Sequence, residues 1–237
     1  MAEKPVKYGE KVEVTYGSHH LNLFGKLRKR AITLMSVLAK AGYRAVIHGS
    51  VARGDVDVNS DIDVLIPYVT PSYKIELTLT NSKFEIFSRI IAQATPTHAP
   101  KAHIYLDPTE QVCVTFPLID FRSLEFEFYK FGGLLELDEL KQDKRVSGCT
   151  KRLTLIEPTR NGHVESPVFG HEAEVARTVG VSIDIVKERV RVLTRRDKIG
   201  RTGIFLLATL ERNEVFEEVL KRLIDTNPAL RRKWLDR

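Results

Sequence analysis

Cysteine and long apolar runs are what this chain most lacks. Its 237 residues include two cysteines, Cys113 and Cys149, which form no Cys-x-x-Cys pair, so a disulfide framework is not expected. Cys113 stands between two valines and is predicted to be a small core residue. No apolar run approaches the roughly 20 residues that span a bilayer. No apolar signal region follows the first five residues, so we expect a cytoplasmic protein without a membrane partner.

Composition and charge are those of a soluble protein with a basic second part. Hydrophobic residues make up 43% of the chain and charged residues 29%, which is sufficient for one large domain or two small ones. Of the net charge of +6, residues 1–145 contribute 19 Lys and Arg against 18 Asp and Glu, and residues 146–237 contribute 18 against 13. This asymmetry favours a polyanionic partner for the second part; a solubilising basic face is the alternative.

The pattern of apolar residues predicts an α/β (α+β) first domain with a mixed, mainly antiparallel sheet. Apolar residues recur at three- and four-residue steps before Gly42, which is typical of a capped helix. Short apolar runs between turn residues predict strands. The predicted helices are residues 19–41 and 84–94, and the predicted strands are residues 44–48, 61–67, 101–106, 111–116 and 124–131.

A Gly-Ser turn follows the first predicted strand, in His48-Gly49-Ser50-Val51-Ala52-Arg53-Gly54. Glycine allows the backbone to approach a phosphate closely. A helical turn after it presents free N–H groups to an anion. The Ser50 hydroxyl and the Arg53 guanidinium can add charge-assisted hydrogen bonds. We therefore predict that Gly49, Ser50 and Arg53 bind a triphosphate.

Two alternating aspartates, Asp61 and Asp63, open the next predicted strand. Residues two apart in a strand share a face, and two close carboxylates repel each other unless a cation neutralises them. Carboxylates suit hard divalent cations such as Mg²⁺ or Mn²⁺, and a pair of these cations can assist nucleotidyl transfer. The nearby Asp55-x-Asp57 pair leads into a turn rather than a strand, so it is not the predicted metal site.

Together these motifs resemble the signature of the DNA polymerase beta-type nucleotidyltransferase superfamily, in particular its small archaeal and bacterial domains. The match is strongest over residues 25–67, with ten residues between Gly-Ser and Asp61. The resemblance implies that Gly49 and Ser50 bind the triphosphate and that Asp61 and Asp63 bind the metals. It gives a class of reaction and not a substrate.

The resemblance also implies a third carboxylate, on a neighbouring strand and flanked by apolar residues. The predicted strand 111–116 carries Thr115 where an acid is expected. Three acids with apolar neighbours follow, namely Asp120, Glu125 and Glu127. We choose Asp120 as the third catalytic and metal-binding acid because it lies nearest that strand, with Glu127 second.

A polar stretch at residues 141–150 indicates a boundary between domains 1–145 and 146–237, and residues 158–170 read as a loop. Beyond it, two predicted helices flank Gly180, and Ser182 is a plausible N-cap of the second. Residues 187–201 carry seven Lys and Arg against two acids, and a wing strand is predicted at residues 204–207. This part resembles a winged helix-turn-helix, which implies DNA or RNA binding or a helical accessory domain. The nucleic-acid contacts are predicted at Lys187, Arg191, Arg195 and Arg196.

Taken together, the sequence predicts a Mg²⁺-dependent nucleotidyltransferase. It would move a nucleoside monophosphate from an NTP, expected to be ATP, to an acceptor that the sequence does not name, and release pyrophosphate. The alternative is a DNA-binding regulator whose first domain senses nucleotide without transferring it.

Overall fold

The computed structural model describes residues 4–6, 9–200 and 203–235. The strands are β1 Val12–Thr15, β2 Val46–His48, β3 Ile62–Leu65, β4 Ser88–Gln93, β5 Lys101–Tyr105, β6 Val112–Pro117, β7 Leu134–Glu136, β8 Gly148–Cys149, β9 Thr154–Thr159, β10 Gly162–Pro167 and β11 Leu206–Thr209. The helices are α1 Ser18–Lys40, α2 Ser50–Arg53, α3 Ser72–Asn81, α4 Ser123–Phe131, α5 Leu137–Lys141, α6 Glu172–Val179, α7 Ile183–Ile199, α8 Phe216–Thr226 and α9 Pro228–Leu235. Within the described ranges, no helix combines the length and apolarity needed to span a bilayer.

The chain forms two compact units, each assembled from separate segments. The first unit comprises residues 1–32, 47–60 and 124–202, and the second comprises residues 33–46, 61–123 and 203–237. The contiguous boundary near residue 145 stays a prediction.

The first unit contains an antiparallel sheet in the order β1-β10-β9-β8. Its β9–β10 hairpin turns at residues 160–161, where Thr159 pairs with Gly162. Helices α6 and α7 bury Val175 and Val186 in a core with Leu155 of β9 and Phe131 of α4. The helix pair thus packs on residues from both sides of position 145.

The second unit contains a mixed sheet in which five strands run in the order β11-β4-β5-β6-β3. Strands β3 and β6 are parallel, while β5 is antiparallel to both β6 and β4. The residues Ile62 and Val64 of β3, and Val114 of β6, lie in the core. The predicted α/β class with a mixed sheet is confirmed, and it is consistent with a nucleotidyltransferase fold.

Predicted elements with strong local patterns are confirmed with small changes of bounds. They include α1, β2, β3, β5, β6, α6 and α7. The helix predicted at residues 84–94 is wrong, because Ser88–Gln93 forms a strand that pairs on both sides, with β5 and β11. Its apolar residues have helical spacing, but the segment pairs with the next strand, β5, and with β11, which is far along the chain. Helix α3, just before it, was not predicted.

Two other predictions fail in the first unit. The strand predicted at residues 124–131 is wrong, since Ser123–Phe131 is helical and buries Glu125 and Tyr129, which are one helical turn apart. The loop predicted at residues 158–170 contains β10 as well as the end of β9. Pro158 is accommodated there because it lies beyond the β8–β9 pairing, which ends at Ile156.

Candidate active site

The Gly-Ser turn is held by a glycine with positive φ and by a short helix. Gly49 has φ +87°, a conformation that side chains with a Cβ rarely adopt. Its N–H donates to the Gly133 carbonyl at 3.0 Å, and its own carbonyl accepts from Ala52 and Arg53 at 3.0 and 3.1 Å. The N–H groups of Ser50 and Val51 therefore precede the first hydrogen bond of α2. Such N-terminal donors are suited to an anion.

Ser60 closes the loop that follows this turn. Its Oγ accepts a hydrogen bond from the Ser50 hydroxyl at 3.1 Å and another from the Asp57 N–H at 2.9 Å. The Ser50 side chain is therefore tied to the residue that directly precedes Asp61 in the chain. Sequence analysis missed Ser60, although its place before the paired aspartates was a usable signal.

Arg53 is engaged inside the first unit and is only 6% exposed. Its Nε and Nη2 donate to the two Asp55 carboxylate oxygens at 2.9 and 2.8 Å, and its Nη1 donates to the Gly132 carbonyl at 2.5 Å. A bidentate pair of this kind is strong and geometrically specific. The triphosphate contact predicted for Arg53 is therefore not what these contacts show, because the fork of the guanidinium is already used. The Asp55-x-Asp57 pair, set aside as a metal site, supplies the partner.

A second buried arginine, Arg28 of α1, holds the far end of the same turn. Its guanidinium donates to the carbonyls of Val51, Ala52 and Lys144. Burial lowers the pKa of Arg28 to about 10, so the group remains a cation at neutral pH. Sequence analysis missed Arg28, because a basic residue on an amphipathic helix usually faces solvent.

In the second unit, the paired aspartates lie at the start of β3. Asp61 precedes the strand and is exposed, and Asp63 is partly exposed, while Ile62 and Val64 are buried. This alternation is the burial pattern of a strand whose residues 61 and 63 share a face, although it stops at Leu65, which is fully buried. The Ile62 N–H donates to the Gln111 carbonyl at 2.7 Å, which anchors the start of β3 beside β6.

On the β6 side of β3, the neighbours of Asp63 on its own sheet face are polar but uncharged at neutral pH. Asp63 pairs with Cys113 of β6, which pairs in turn with Tyr105 of β5. Burial raises the pKa of Cys113 and of Tyr105 to about 12 in each case, with the charge of Asp63 a smaller contribution. Cys113 is thus a buried thiol, as predicted for a small core residue, and the β6 and β5 members of this register row carry no cation.

The next row of the same face contains Thr115 and His103. The His103 Nδ1 is hydrogen-bonded to the Thr115 hydroxyl at 3.0 Å and lies 3.8 Å from the Cys113 sulfur. Burial lowers the pKa of His103 to about 3, with Lys101 contributing, so the ring is neutral at pH 7. Sequence analysis overlooked His103, because its position opposite Thr115 depends on strand register.

The three acids considered for the third carboxylate lie in three different local environments. Asp120 is exposed in the loop after β6, whereas Glu125 is buried in α4. Glu127 accepts from both the N–H and the hydroxyl of Ser182, the N-cap residue of α7. Among the residues that the structure describes, no three His, Cys, Asp or Glu side chains are grouped to hold a metal ion. Asp120 stays a prediction, and the chemistry of Asp61 and Asp63 alone fits a hard cation completed by phosphate and water oxygens.

The helix pair in the first unit confirms the predicted local signals. Gly180 ends α6 in the left-handed conformation, and the Ser182 side chain accepts from the Ile185 N–H. The predicted wing strand, residues 204–207, overlaps β11. This strand pairs with β4 in the sheet of the second unit. The winged helix is therefore not confirmed.

The predicted nucleic-acid contacts lie on the solvent side of α7. Lys187, Arg191, Arg195 and Arg196 are all exposed. Arg189 differs, because its guanidinium stacks on the Phe128 ring at 4.9 Å and burial lowers its pKa to about 10. Arg201 lies outside the described residues.

Similarity to known proteins supports the nucleotidyltransferase resemblance for one segment of the chain. No curated protein matches the chain. Residues 28–111 match the family model of the nucleotidyltransferase domain, which covers both the Gly-Ser turn and the paired aspartates and ends directly before β6. This match supports the nucleotidyltransferase superfamily for that segment and, at the level of the family, a transferase activity.

Proposed function

We propose that this protein is a metal-dependent nucleotidyltransferase that transfers a nucleoside monophosphate from an NTP, with ATP the expected donor, to an acceptor hydroxyl. The observation that carries the proposal is the position of Asp63. It shares a face with Asp61 at the start of β3, and its register neighbours Cys113 and Tyr105 are uncharged. Two carboxylates in such surroundings favour a divalent cation.

The Gly-Ser turn supplies the triphosphate side of the proposal. The N–H groups of Ser50 and Val51 are the donors for phosphate oxygens, while the single O–H of Ser50 is donated to Ser60. The hydrogen bond from Ser50 to Ser60 restricts the rotamer of that hydroxyl. Arg28 and Arg53 act behind the turn, where they hold its carbonyls and its loop in place.

In the proposed reaction, an acceptor oxygen forms a bond to the α-phosphorus and the bond from that phosphorus to the bridging oxygen breaks. Pyrophosphate leaves, and the proton of the acceptor passes to a carboxylate, for which Asp120 remains the proposed residue. Asp61 and Asp63 would hold Mg²⁺ or Mn²⁺, which neutralises phosphate charge and lowers the pKa of the acceptor hydroxyl.

Incubation with each α-labelled NTP, Mg²⁺ and cellular RNA or protein tests this proposal. The comparison is between the wild type, an Asp61→Asn/Asp63→Asn variant and the control Asp57→Asn, which changes an exposed aspartate of the neighbouring turn. We expect label incorporation that requires metal, persists in the control and falls by about 100-fold or more in the double variant. Incorporation that is equal in all three proteins would refute the assignment.

A DNA-binding regulator that senses nucleotide without transferring it is the second candidate. The exposed cations Lys187, Arg191 and Arg195, spaced four residues apart on α7, favour it. It predicts no incorporation with any NTP, together with salt-sensitive DNA binding that survives the Asp61→Asn/Asp63→Asn change.

A further inference from the structure

We propose that the open edge of β11 pairs with β11 of a second copy of this chain, so that two copies form a dimer around a two-fold axis. In the sheet of the second unit β11 is the terminal strand, and its pairing partner among the described residues is β4. A terminal strand leaves a row of backbone N–H and C=O groups open to another strand. Such a dimer does not depend on the transferase proposed above.

The hydrogen bonds of β11 show which of its backbone groups reach the open edge. The Leu210 N–H donates to the Arg89 carbonyl at 2.8 Å, in the register of the β11–β4 pair. In an antiparallel pair, hydrogen-bonded and non-hydrogen-bonded positions alternate. The even-numbered residues of β11 therefore bond toward β4, whereas the N–H and C=O groups of Leu207 and Thr209 point toward the open edge.

The side chains at the same positions are exposed. Leu207 and Thr209 are exposed, while Leu206 between them and the core is buried. Ile204 and Phe205, which directly precede the strand, are exposed as well. Residues two apart in a strand share a face, so exposed apolar surface lies directly beside the open backbone groups.

This segment lacks the features that usually protect an edge strand from pairing. Residues 203–210 contain no charged residue and no proline, although charges, prolines or a covering element are the common protection. The edge is also fixed before any partner binds. The guanidinium of Arg89 on β4 donates to the carbonyls of Glu211 and Glu214, just after β11. A rigid, uncharged edge of this kind is suited to pairing with another strand.

A second copy is the partner that fits this edge, because the segment is complementary to itself. An antiparallel pair centred on Leu207 places Leu207 opposite the partner's Leu207 and Phe205 opposite the partner's Thr209. These three pairs can exchange up to about six backbone hydrogen bonds. Opposed like charges destabilise a strand pair, but the first charged residue after the strand, Glu211, falls opposite Gly203. The register therefore joins apolar side chains without bringing like charges together.

Pairing at this edge joins the sheets of two copies into one. Strand register places Leu207 on the same sheet face as Asp63, through β4, β5 and β6. A two-fold axis perpendicular to the sheet keeps that face on the same side in both copies. Since neighbouring strands lie about 4.8 Å apart, the two β3 strands are roughly 40 Å from each other. The dimer thus carries both aspartate pairs on one side of a continuous sheet.

The molar mass of the full chain, measured by light scattering over a range of protein concentrations, tests the pairing without substrate. Leu207→Lys opposes two like charges at the centre of the pair. Leu77→Lys is the matched control, because Leu77 is 57% exposed on α3 of the same unit and Leu207 is 59% exposed. Circular dichroism verifies that each variant is folded.

We expect the wild type and Leu77→Lys to reach twice the mass of one chain as the concentration rises. In Leu207→Lys the Kd of the dimer should increase by about 100-fold or more, because opposed charges at an interface cost several kcal/mol.

Disulfide cross-linking locates the two-fold axis. In Leu207→Cys the two Cα atoms are expected about 5.5 Å apart, which is within the range of a disulfide. In Thr209→Cys the equivalent atoms are more than about 13 Å apart, because four residues separate them along the strands. The native thiols of Cys113 and Cys149 are both buried. Oxidation with copper–phenanthroline should therefore give a covalent dimer in Leu207→Cys and not in Thr209→Cys.

Three results would each overturn the pairing. The first is a wild type that keeps the mass of one chain at every concentration. The second is a Leu207→Lys variant that dimerises as readily as Leu77→Lys. The third is cross-linking that is absent from Leu207→Cys or equal in Leu207→Cys and Thr209→Cys, since the copies would then meet through another surface.

Discussion

The Ser50 hydroxyl donates a hydrogen bond to the Oγ of Ser60 at 3.1 Å. The bond joins the two ends of a loop that begins at the proposed phosphate turn and ends beside Asp61 in the chain. The Asp57 N–H donates to the same oxygen of Ser60, so a single hydroxyl organises the loop.

Replacement of Ser60 should therefore affect nucleotide binding. In Ser60→Ala the Ser50 hydroxyl and the Asp57 N–H lose their acceptor, and we expect the free energy of unfolding to fall by about 1 kcal/mol. The KM for NTP should rise about threefold to tenfold, because the loop that follows the Ser50 and Val51 N–H groups is no longer held at Ser60. Steady-state kinetics and urea unfolding measure the two effects. Asn59→Ala is the control, since that side chain is exposed on the same loop; an equal KM change in it would contradict the role of Ser60.

The Arg53–Asp55 pair should contribute to stability and not to nucleotide contact. Arg53→Ala leaves the Asp55 carboxylate largely buried without its cation, and the expected loss is about 3–5 kcal/mol of unfolding free energy. The Arg53→Ala/Asp55→Ala variant should recover part of that loss, and Arg177→Ala, an exposed arginine of the same unit, should change little. Chemical denaturation gives the values. A large rise in NTP KM in Arg53→Lys at unchanged stability would instead favour a phosphate contact.

His103 should make the second unit sensitive to acid. Burial lowers its pKa from 6.5 to about 3, so between these values the unfolded chain binds a proton that the folded chain does not. Stability is full above pH 6.5 and falls as the pH decreases toward 3, by up to about 1.4 kcal/mol per pH unit.

Denaturation at several pH values tests this dependence. His103→Gln has no titrating ring but can still reach Thr115, so its stability should fall less steeply between pH 6.5 and 3. His171→Gln, at an exposed histidine, should retain the wild-type slope. Identical slopes for the wild type and His103→Gln would mean that the ring is not held neutral.

The exposed cations of α7 allow a test of polyanion binding by the first unit. Replacement by Gln of Lys187, Arg191, Arg195 and Arg196 should weaken non-specific DNA or RNA binding and reduce its salt dependence. The slope of log K against log salt should decrease by up to about 3, since each phosphate contact contributes roughly 0.7–0.9.

A control with the same change of charge uses four exposed lysines elsewhere, replaced by Gln at Lys40, Lys74, Lys83 and Lys221. Anisotropy titrations at several salt concentrations compare the two variants. If both variants lose the same slope, the attraction comes from net charge and not from α7.

The parts that sequence predicted correctly depend on neighbours along the chain. The helix end at Gly180, the serine cap of α7 and the alternation of Asp61, Ile62 and Asp63 are local features, because backbone conformation and strand periodicity are set within a few residues. The amphipathic helix α1 is also a local feature, since the three- and four-residue spacing of its apolar residues is visible in the sequence.

Tertiary structure decided what depends on partners that are distant in sequence. Ser88–Gln93 became a strand because β5 and the distant β11 satisfy its backbone hydrogen bonds, and Ser123–Phe131 became a helix whose Phe131 packs in a core with Leu155 and Val186. Register alone placed Cys113 beside Asp63, and folding turned Arg53 toward Asp55 and Gly132. Periodicity along a chain shows which face of a helix or strand is buried. Which residues that face contacts is set by strand pairing and by packing across the fold.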